Sequence, residues 1–146
     1  HRMKDYEIRI RLQAIAPKEV FTVSVPLGQT LASYVINGYA WADYSSGLRV
    51  LDGQFKPEGE YARTGKLIRD EELHELLLRV QRQDDSDQVQ ISVDLDGENL
   101  MDWTGESSRL TPPEGFKDED PGRLLIACYK QAWRVESIKV KATPQP

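Results

Sequence analysis

The residues best suited to bind a ligand are concentrated between positions 37 and 49. Six of them combine aromatic faces with hydrogen-bonding groups: Tyr39, Trp41 and Tyr44, together with Asn37, Asp43 and Arg49. Aromatic faces stack on the C–H-rich faces of sugar rings, while planar polar groups hydrogen-bond the hydroxyls. The stretch therefore predicts a carbohydrate-binding surface, with packing of the same rings in a protein core as the alternative.

Three further aromatic residues, Trp103, Tyr129 and Trp133, could extend such a surface. In a two-layer β-protein, however, large aromatic side chains commonly fill the core and satisfy their polar edge there. We therefore expect Trp103 and Trp133 to be core residues.

Carboxylates near residue 96 raise the question of catalysis. Asp94, Asp96 and Glu98 alternate along the chain, and Asp102 follows them. A glycosidase that retains configuration needs two carboxyl groups about 5 Å apart. This spacing does not ensure such a pair, and Asp96-Gly97 is explained more simply as a turn. A non-enzymatic role is therefore favoured, and no catalytic residue is assigned.

Metal sites are not strongly indicated. The acidic runs 84–87 and 118–120 are rich in the oxygen ligands that calcium accepts, but neither has the spacing of a calcium-binding loop. We expect solvated acidic turns, with calcium the one cofactor left open. His1 and His74 have no Cys/His partners for a zinc site, and His74 is expected at the surface.

Cys128 is the only cysteine, which excludes an intramolecular disulfide. It ends the apolar run Leu124-Leu125-Ile126-Ala127-Cys128. In such a run a cysteine usually behaves as a small buried hydrophobe, so we expect an inert thiol.

Length and composition fit one thin, highly charged domain, residues 1–146. The chain has 146 residues, of which 39% are hydrophobic and 29% are charged. Its net charge of −5 argues against a nucleic-acid partner, which would favour a basic stripe. The sequence contains no run of about 18 apolar residues, so it does not predict membrane insertion. We expect a domain cut from a longer polypeptide or a mature form, and the sequence determines neither its compartment nor its oligomeric state.

The elements that position these residues are predicted to be strands. The clearest signal is a hairpin, in which the alternating segment 89–95 is followed by Asp96-Gly97 and a second apolar segment. Further strands are predicted at 6–12, 20–25, 31–36, 48–51, 66–68, 75–82, 123–129 and 133–142, with a surface loop at 54–65. The first two are expected to pair as a hairpin, a helix is the alternative near 70–78, and Asn37-Gly38 is expected to be a turn. A change of parity in the last strand predicts a β-bulge near Glu136-Ser137.

About nine to eleven strands with turns between them are typical of a β-sandwich or barrel. Several motifs add a resemblance: Ile-Ser-Val-Asp-Leu-Asp-Gly-Glu-Asn-Leu-Met-Asp-Trp-Thr-Gly, then Gly-Arg-Leu-Leu-Ile-Ala, then Trp-Arg-Val-Glu-Ser-Ile-Lys-Val-Lys. Their order resembles concanavalin A-like lectin/glucanase domains, in particular the bacterial laminin-G-like and 3-keto-disaccharide hydrolase-like modules. Tyr-Glu-Ile-Arg-Ile-Arg-Leu resembles the opening strand, and Ser-Gly-Leu-Arg-Val-Leu-Asp-Gly the middle.

The resemblance implies an all-β fold, a two-sheet antiparallel jelly-roll sandwich whose last strand returns beside the first. It implies binding on the concave sheet or its bordering loops, and it slightly favours an extracytoplasmic location. The expected function is a non-catalytic carbohydrate-recognition or interaction module of a larger bacterial protein.

Two alternatives remain for the function. One is a glycoside-cleaving domain that would use Asp94, Asp96 and Asp102. The other is a structural or protein-interaction domain, which a groove-less sandwich with Trp41 buried would favour.

Overall fold

A computed structural model describes residues 5–16, 20–28, 30–54, 56–83, 86–112, 122–128 and 132–142. These residues form ten strands: β1 (Tyr6–Ala16), β2 (Phe21–Pro26), β3 (Leu31–Gly38), β4 (Ser45–Leu48), β5 (Arg63–Thr64), β6 (Leu73–Arg82), β7 (Gln88–Leu95), β8 (Glu98–Glu106), β9 (Leu125–Cys128) and β10 (Ala132–Ala142). Three short 3-10 helices span Ala40–Ala42, Gly59–Tyr61 and Ser107–Arg109. None of the described segments is a helix long and apolar enough to cross a membrane.

The strands form two antiparallel sheets of five strands each. The first sheet has the order β10-β1-β6-β7-β8, and the second has the order β5-β4-β3-β2-β9. The prediction of a two-sheet antiparallel jelly-roll sandwich is therefore confirmed.

The core lies between the sheets because the strands alternate apolar and polar residues. In β1, Ile8, Ile10 and Leu12 are buried, whereas Arg9 and Arg11 lie on the outer face of the first sheet. Alternation places one side chain in two on each face of a strand. Burial of the apolar set stabilises the sandwich by roughly 25 cal/mol for each Å² removed from water.

The predicted hairpin at residue 96 is confirmed. Asp96 and Gly97 have φ values of 52° and 83°, the pair of positive angles that a type I′ turn requires. β6 pairs with β1 over residues 73–80 and with β7 over residues 76–82, so the segment 73–82 is a strand and the helical alternative is wrong.

The last strand pairs with the first, as the resemblance implies. Arg11 lies opposite Ser137 and Leu12 lies opposite Val135, which leaves Glu136 as an extra residue. This is the predicted β-bulge, and it restores the apolar parity of β10 toward the core.

Two strand predictions near the amino terminus need correction. β1 and β2 do not pair as a hairpin, because β1 lies in the first sheet and β2 in the second. Their apolar faces pack toward each other across the core, and the Tyr6 hydroxyl donates a hydrogen bond to the carbonyl of Pro26. Asn37-Gly38 is not a turn either, since β3 continues through it with a register shift.

The predicted strands at 48–51 and 66–68 are also wrong. β4 ends at Leu48, because Val50 and Asp52 have positive φ values of 54° and 53° that leave the extended conformation. Residues 66–68 belong to no strand.

Candidate functional site

The connection between β3 and β4 carries most of the predicted ligand residues, and we call residues 39–44 the aromatic loop. It contains the short helix Ala40–Ala42, and Tyr44 donates a backbone hydrogen bond of 3.1 Å to the carbonyl of Tyr39. Tyr39, Asp43 and Tyr44 all have positive φ, between 58° and 64°. Such backbone strain in non-glycine residues persists only where the surrounding structure enforces it, and it is concentrated at functional sites.

Trp41 projects from this loop into solvent, with 79% of its surface exposed. Tyr39 lies beneath it and is buried, at 8% exposure. The two rings meet edge to face, with centroids 6.2 Å apart, a favourable aromatic geometry. Tyr39 therefore supports the indole and is not itself exposed for stacking, which corrects its prediction as a surface ring, while the indole remains accessible.

Two cations lie against the tyrosines of the aromatic loop. The guanidinium carbon of Arg49 is 5.7 Å from the centre of the Tyr39 ring, and Lys66 Nζ is 4.6 Å from the centre of the Tyr44 ring. Both distances fall within the range of cation–π attraction. Burial raises the pKa of Tyr39, an effect that the charge and hydrogen bond of Arg49 oppose. Tyr39 therefore remains a neutral hydrogen-bonding group at neutral pH.

Asn37 is buried, which corrects its prediction as a residue of an exposed ligand surface. Its side chain is fully buried and donates a 2.8 Å hydrogen bond to the carbonyl of Ile68. Its amide oxygen accepts hydrogen bonds from the backbone N–H groups of Leu67 and Ile68, at 2.8 and 3.3 Å. Asn37 instead fixes residues 67–68 beside the aromatic loop.

The outer face of the second sheet is not open at β4. The Ser45 hydroxyl donates to the carbonyl of Pro57, and a Cβ added at Gly47 would lie 2.8 Å from Pro57 Cβ. Pro57 is itself buried. Further along the same sheet, the hydroxyls of Ser24 and Ser33 are buried and hydrogen-bond each other. A bordering loop therefore offers more accessible surface than the sheet face.

The carboxylates considered for catalysis make hydrogen bonds to different residues. Asp94 accepts hydrogen bonds from Asn99 and Arg79, at 2.9 and 3.3 Å. Asp96 instead accepts a 2.5 Å hydrogen bond from His74 and a 2.8 Å bond from the backbone of Glu75. These two groups thus bind different partners within the fold. The third candidate, Asp102, is exposed on β8 opposite Ser92.

No group of three or more His, Cys, Asp or Glu residues within the described ranges could hold a metal ion. Asp87 is bound by the Ser107 hydroxyl and by the backbone of Ser108. Several earlier candidates lie outside the described residues: His1, Asp84, Asp85, Asp118, Glu119, Asp120 and Tyr129.

The remaining single-residue predictions have mixed outcomes. Trp103 is buried in the core, as predicted, and Trp133 packs against it partly buried, with its ring 5.4 Å from that of Phe21. His74 is half-buried between Asp70 and Asp96, so its prediction as a surface residue is wrong. Cys128 is exposed at the end of an edge strand, which corrects its predicted burial. Partial burial nevertheless raises the pKa of its thiol, which disfavours the reactive thiolate.

A hollow of about 270 Å³ lies at the other end of the molecule, where β6 and β7 meet. Its lining is mostly polar: Asp5, Gln81, Arg82, Gln83, Gln88, Val89, Gln90 and Thr104. No aromatic side chain lines it, so it lacks the stacking surface that the aromatic loop provides.

Sequence reasoning missed Lys66. It is 22 positions away from Tyr44, and it follows a residue whose backbone N–H donates to the carbonyl of Tyr44, at 3.0 Å. No local sequence pattern predicts this contact, because it depends on the pairing of β5 with β4.

No protein-family model matches the chain, and no curated protein matches it in sequence. Similarity appears among solved structures. The galectin LEC-6 of Caenorhabditis elegans superposes with a TM-score of 0.57 at 13% identity, over 97% of this chain and 86% of that one. The chain has the jelly-roll fold of the galectins.

Two other structures show the same likeness. Ligand-free congerin I has a TM-score of 0.54 at 16% identity, and the ancestral congerin Con-anc has a TM-score of 0.51 at 14% identity. Each covers 93% of this chain and 90% of its own. At such identities the likeness establishes the fold alone. The narrower resemblance to laminin-G-like and 3-keto-disaccharide hydrolase-like modules stays a prediction.

Proposed function

We propose that this domain is a non-catalytic carbohydrate-recognition module of a larger bacterial protein, and that it binds sugar on the aromatic loop. The observation that carries the proposal is the exposed indole of Trp41, held edge-on by buried Tyr39 in a loop with left-handed backbone angles. An exposed tryptophan offers a flat apolar face that a pyranose ring can cover. The bacterial and multidomain setting follows from the resemblance in sequence.

Polar groups around the indole suit the hydroxyls of a sugar. Asp43 is exposed in the same loop, and Arg49 and Tyr44 are half-buried beside it. A carboxylate accepts hydrogen bonds and a guanidinium donates them, so the two can fix the orientation of a stacked ring. That one of the solved structures with this fold is named a galectin, a class of lectins, supports the same function.

The two alternatives have less support. A glycoside-cleaving domain needs a convergent pair of carboxyl groups, whereas Asp94 and Asp96 are each engaged by different partners. A structural role would favour a buried Trp41, and Trp41 is among the exposed large hydrophobic residues. An exposed tryptophan also suits a protein partner, so binding of sugars must be measured directly.

The test is a glycan array probed with the wild-type domain and with Trp41→Ala, followed by calorimetric titration of any hit. An aromatic contact contributes roughly 0.5–1.5 kcal/mol, so the variant should bind up to about tenfold more weakly. Because Trp41 is exposed, the free energy of unfolding should change by less than about 0.5 kcal/mol.

Ile15→Ala is the matched control, since Ile15 is an exposed apolar residue of β1 in the first sheet. It should leave both affinity and stability near the wild-type values. An array on which the wild-type domain retains no glycan would overturn the proposal, and equal affinity of Trp41→Ala would remove the aromatic loop from it. We expect the domain to bind glycans with the same affinity in the presence of calcium and in the presence of a chelator.

A further inference from the structure

The aromatic loop is bordered by positive charge, although the whole chain carries a net charge of −5. Lys66 and Arg49 reach it from opposite ends of the segment that follows β4, and each lies against a tyrosine ring. Both side chains are half-buried. Desolvated cations next to aromatic rings interact more strongly with an anion than fully hydrated ones do.

The backbone holds Lys66 in this position. Gly65, on one side, donates a 3.0 Å hydrogen bond to the carbonyl of Tyr44. Leu67, on the other side, donates a 2.8 Å hydrogen bond to the buried amide of Asn37. Because both neighbours are tied to the aromatic loop or to its base, the backbone of Lys66 is fixed beside the loop, and its ammonium group lies against the Tyr44 ring.

The contacts of Lys66 differ from those of several other cations among the described residues, which are paired with carboxylates. Arg9 and Arg11 lie 2.6 and 3.2 Å from glutamates on the outer face of the first sheet, and Arg109 lies 2.6 Å from Asp52. Across the described ranges, Lys66 has no carboxylate within 4.0 Å and contacts the Tyr44 ring instead. No carboxylate of the described residues therefore neutralises its charge.

We propose that the aromatic loop selects acidic saccharides, in which a sugar ring stacks on Trp41 and its carboxylate or sulfate is bound by Lys66 and Arg49. This inference rests on the proposed function and names the substrate class of that site. Arginine and lysine both bind such oxyanions, arginine through a planar fork and lysine as a point charge. Asp43 repels an anion, so the acidic group is directed toward Lys66 and Arg49, and the neutral hydroxyls toward Asp43.

The experiment compares ligands that differ only in charge. Calorimetric titrations use oligogalacturonate against its methyl ester, and a sulfated galactan oligosaccharide against its desulfated form. The two pairs distinguish carboxylate from sulfate as the bound group. The wild-type domain should bind at least one acid about fivefold more tightly than its neutral form, and added salt should weaken that preference by partly screening the half-buried charges.

Lys66→Gln should weaken binding of the preferred acid about threefold to fivefold and change binding of its neutral form by less than about twofold. Lys139→Gln is the matched control, because it makes the same charge change on β10 of the first sheet. It should leave the preference intact.

The outcomes separate this inference from the proposed function. Equal affinity for acid and neutral forms, with binding that still depends on Trp41, would overturn the acidic preference and leave carbohydrate binding in place. An equal loss in Lys139→Gln would overturn it as well, since net charge alone would then explain the effect. Failure of every saccharide on the array would overturn both.

Discussion

Asn37 organises the base of the candidate site from inside the protein. Its amide makes three hydrogen bonds to the backbone of residues 67 and 68, and its own backbone N–H donates to the Ser46 hydroxyl at 3.0 Å. Its φ of 56° turns the end of β3 toward the aromatic loop. One buried side chain therefore joins the loop, the segment that carries Lys66 and the second sheet.

We expect Asn37→Ala to destabilise the domain by roughly 2–4 kcal/mol, because it leaves buried N–H and carbonyl groups without partners and places alanine in the left-handed region. Urea unfolding followed by circular dichroism measures the change. Asn99→Ala is the control, since Asn99 is exposed and its amide contacts Asp94 at the surface. A cost for Asn37→Ala as small as that of the control would contradict this role.

Single residues also show what the sequence can and cannot predict. Trp103 alternates with Asp102 and Thr104 in a clear strand, so its burial follows from periodicity. Trp41 lies in a short irregular connection where no period exists, and only the folded loop determines its exposure. Asn37 precedes a glycine and was expected in a turn, but the register shift of β3 carries its side chain inward.

His74 joins two elements, the start of β6 and the turn between β7 and β8. Its ring nitrogens lie 2.6 Å from Asp70 and 2.5 Å from Asp96. Burial lowers the pKa of His74, but the hydrogen bonds and charges of Asp96 and Asp70 together raise it by more than burial lowers it. The pKa of His74 is therefore above its usual value of 6.5. The protonated ring is therefore the form that holds the turn.

We expect stability to depend on pH through this residue. A raised pKa in the folded state means that the contribution is fully present below pH 6.5 and is lost as pH rises through the higher folded value. Urea midpoints should therefore fall above pH 6.5 in the wild-type domain, and His74→Gln should remove that fall. Identical pH profiles for the two proteins would count against the contact.

Element by element, alternation predicts strands well and their partners less well. β7 and β8 were predicted as a hairpin because Asp96-Gly97 fixes the turn between them. β1 and β2 are also separated by a short connection, yet they belong to opposite sheets. Connection length alone does not distinguish pairing within a sheet from a crossing between sheets, since both leave the same alternating pattern in each strand.

The two sides of the whole sandwich differ. On one side, Arg63 of β5 donates hydrogen bonds to the carbonyls of Leu100 and Asn99, at 3.1 Å each. These bonds connect the second sheet to the edge strand β8 of the first. On the other side, Ile138 and Val140 of β10 remain 42% and 48% exposed. The long β1 lies between β10 and β6 and is paired on both of its edges.

This arrangement predicts an order of local stability across the molecule. Amide protons of β1 and β6 should exchange most slowly, because both strands lie inside the first sheet. The edge strands β5 and β9 have two and four residues and should exchange faster. Deuterium uptake measured by mass spectrometry tests this, with the unfolded chain as the reference for intrinsic rates. Equal protection of residues 125–128 and 8–12 would contradict the prediction.

The pairing of the first and last strands has a consequence for connectivity. Tyr6 lies opposite Ala142, so the two ends of the described chain are neighbours in one sheet, about 5 Å apart between Cα atoms. A chain that enters and leaves a domain at adjacent points can be inserted into a surface turn of a host protein with little displacement of the turn's own ends. The same adjacency would let a short peptide join the two strands and allow the polypeptide to be opened elsewhere, as in circular permutation.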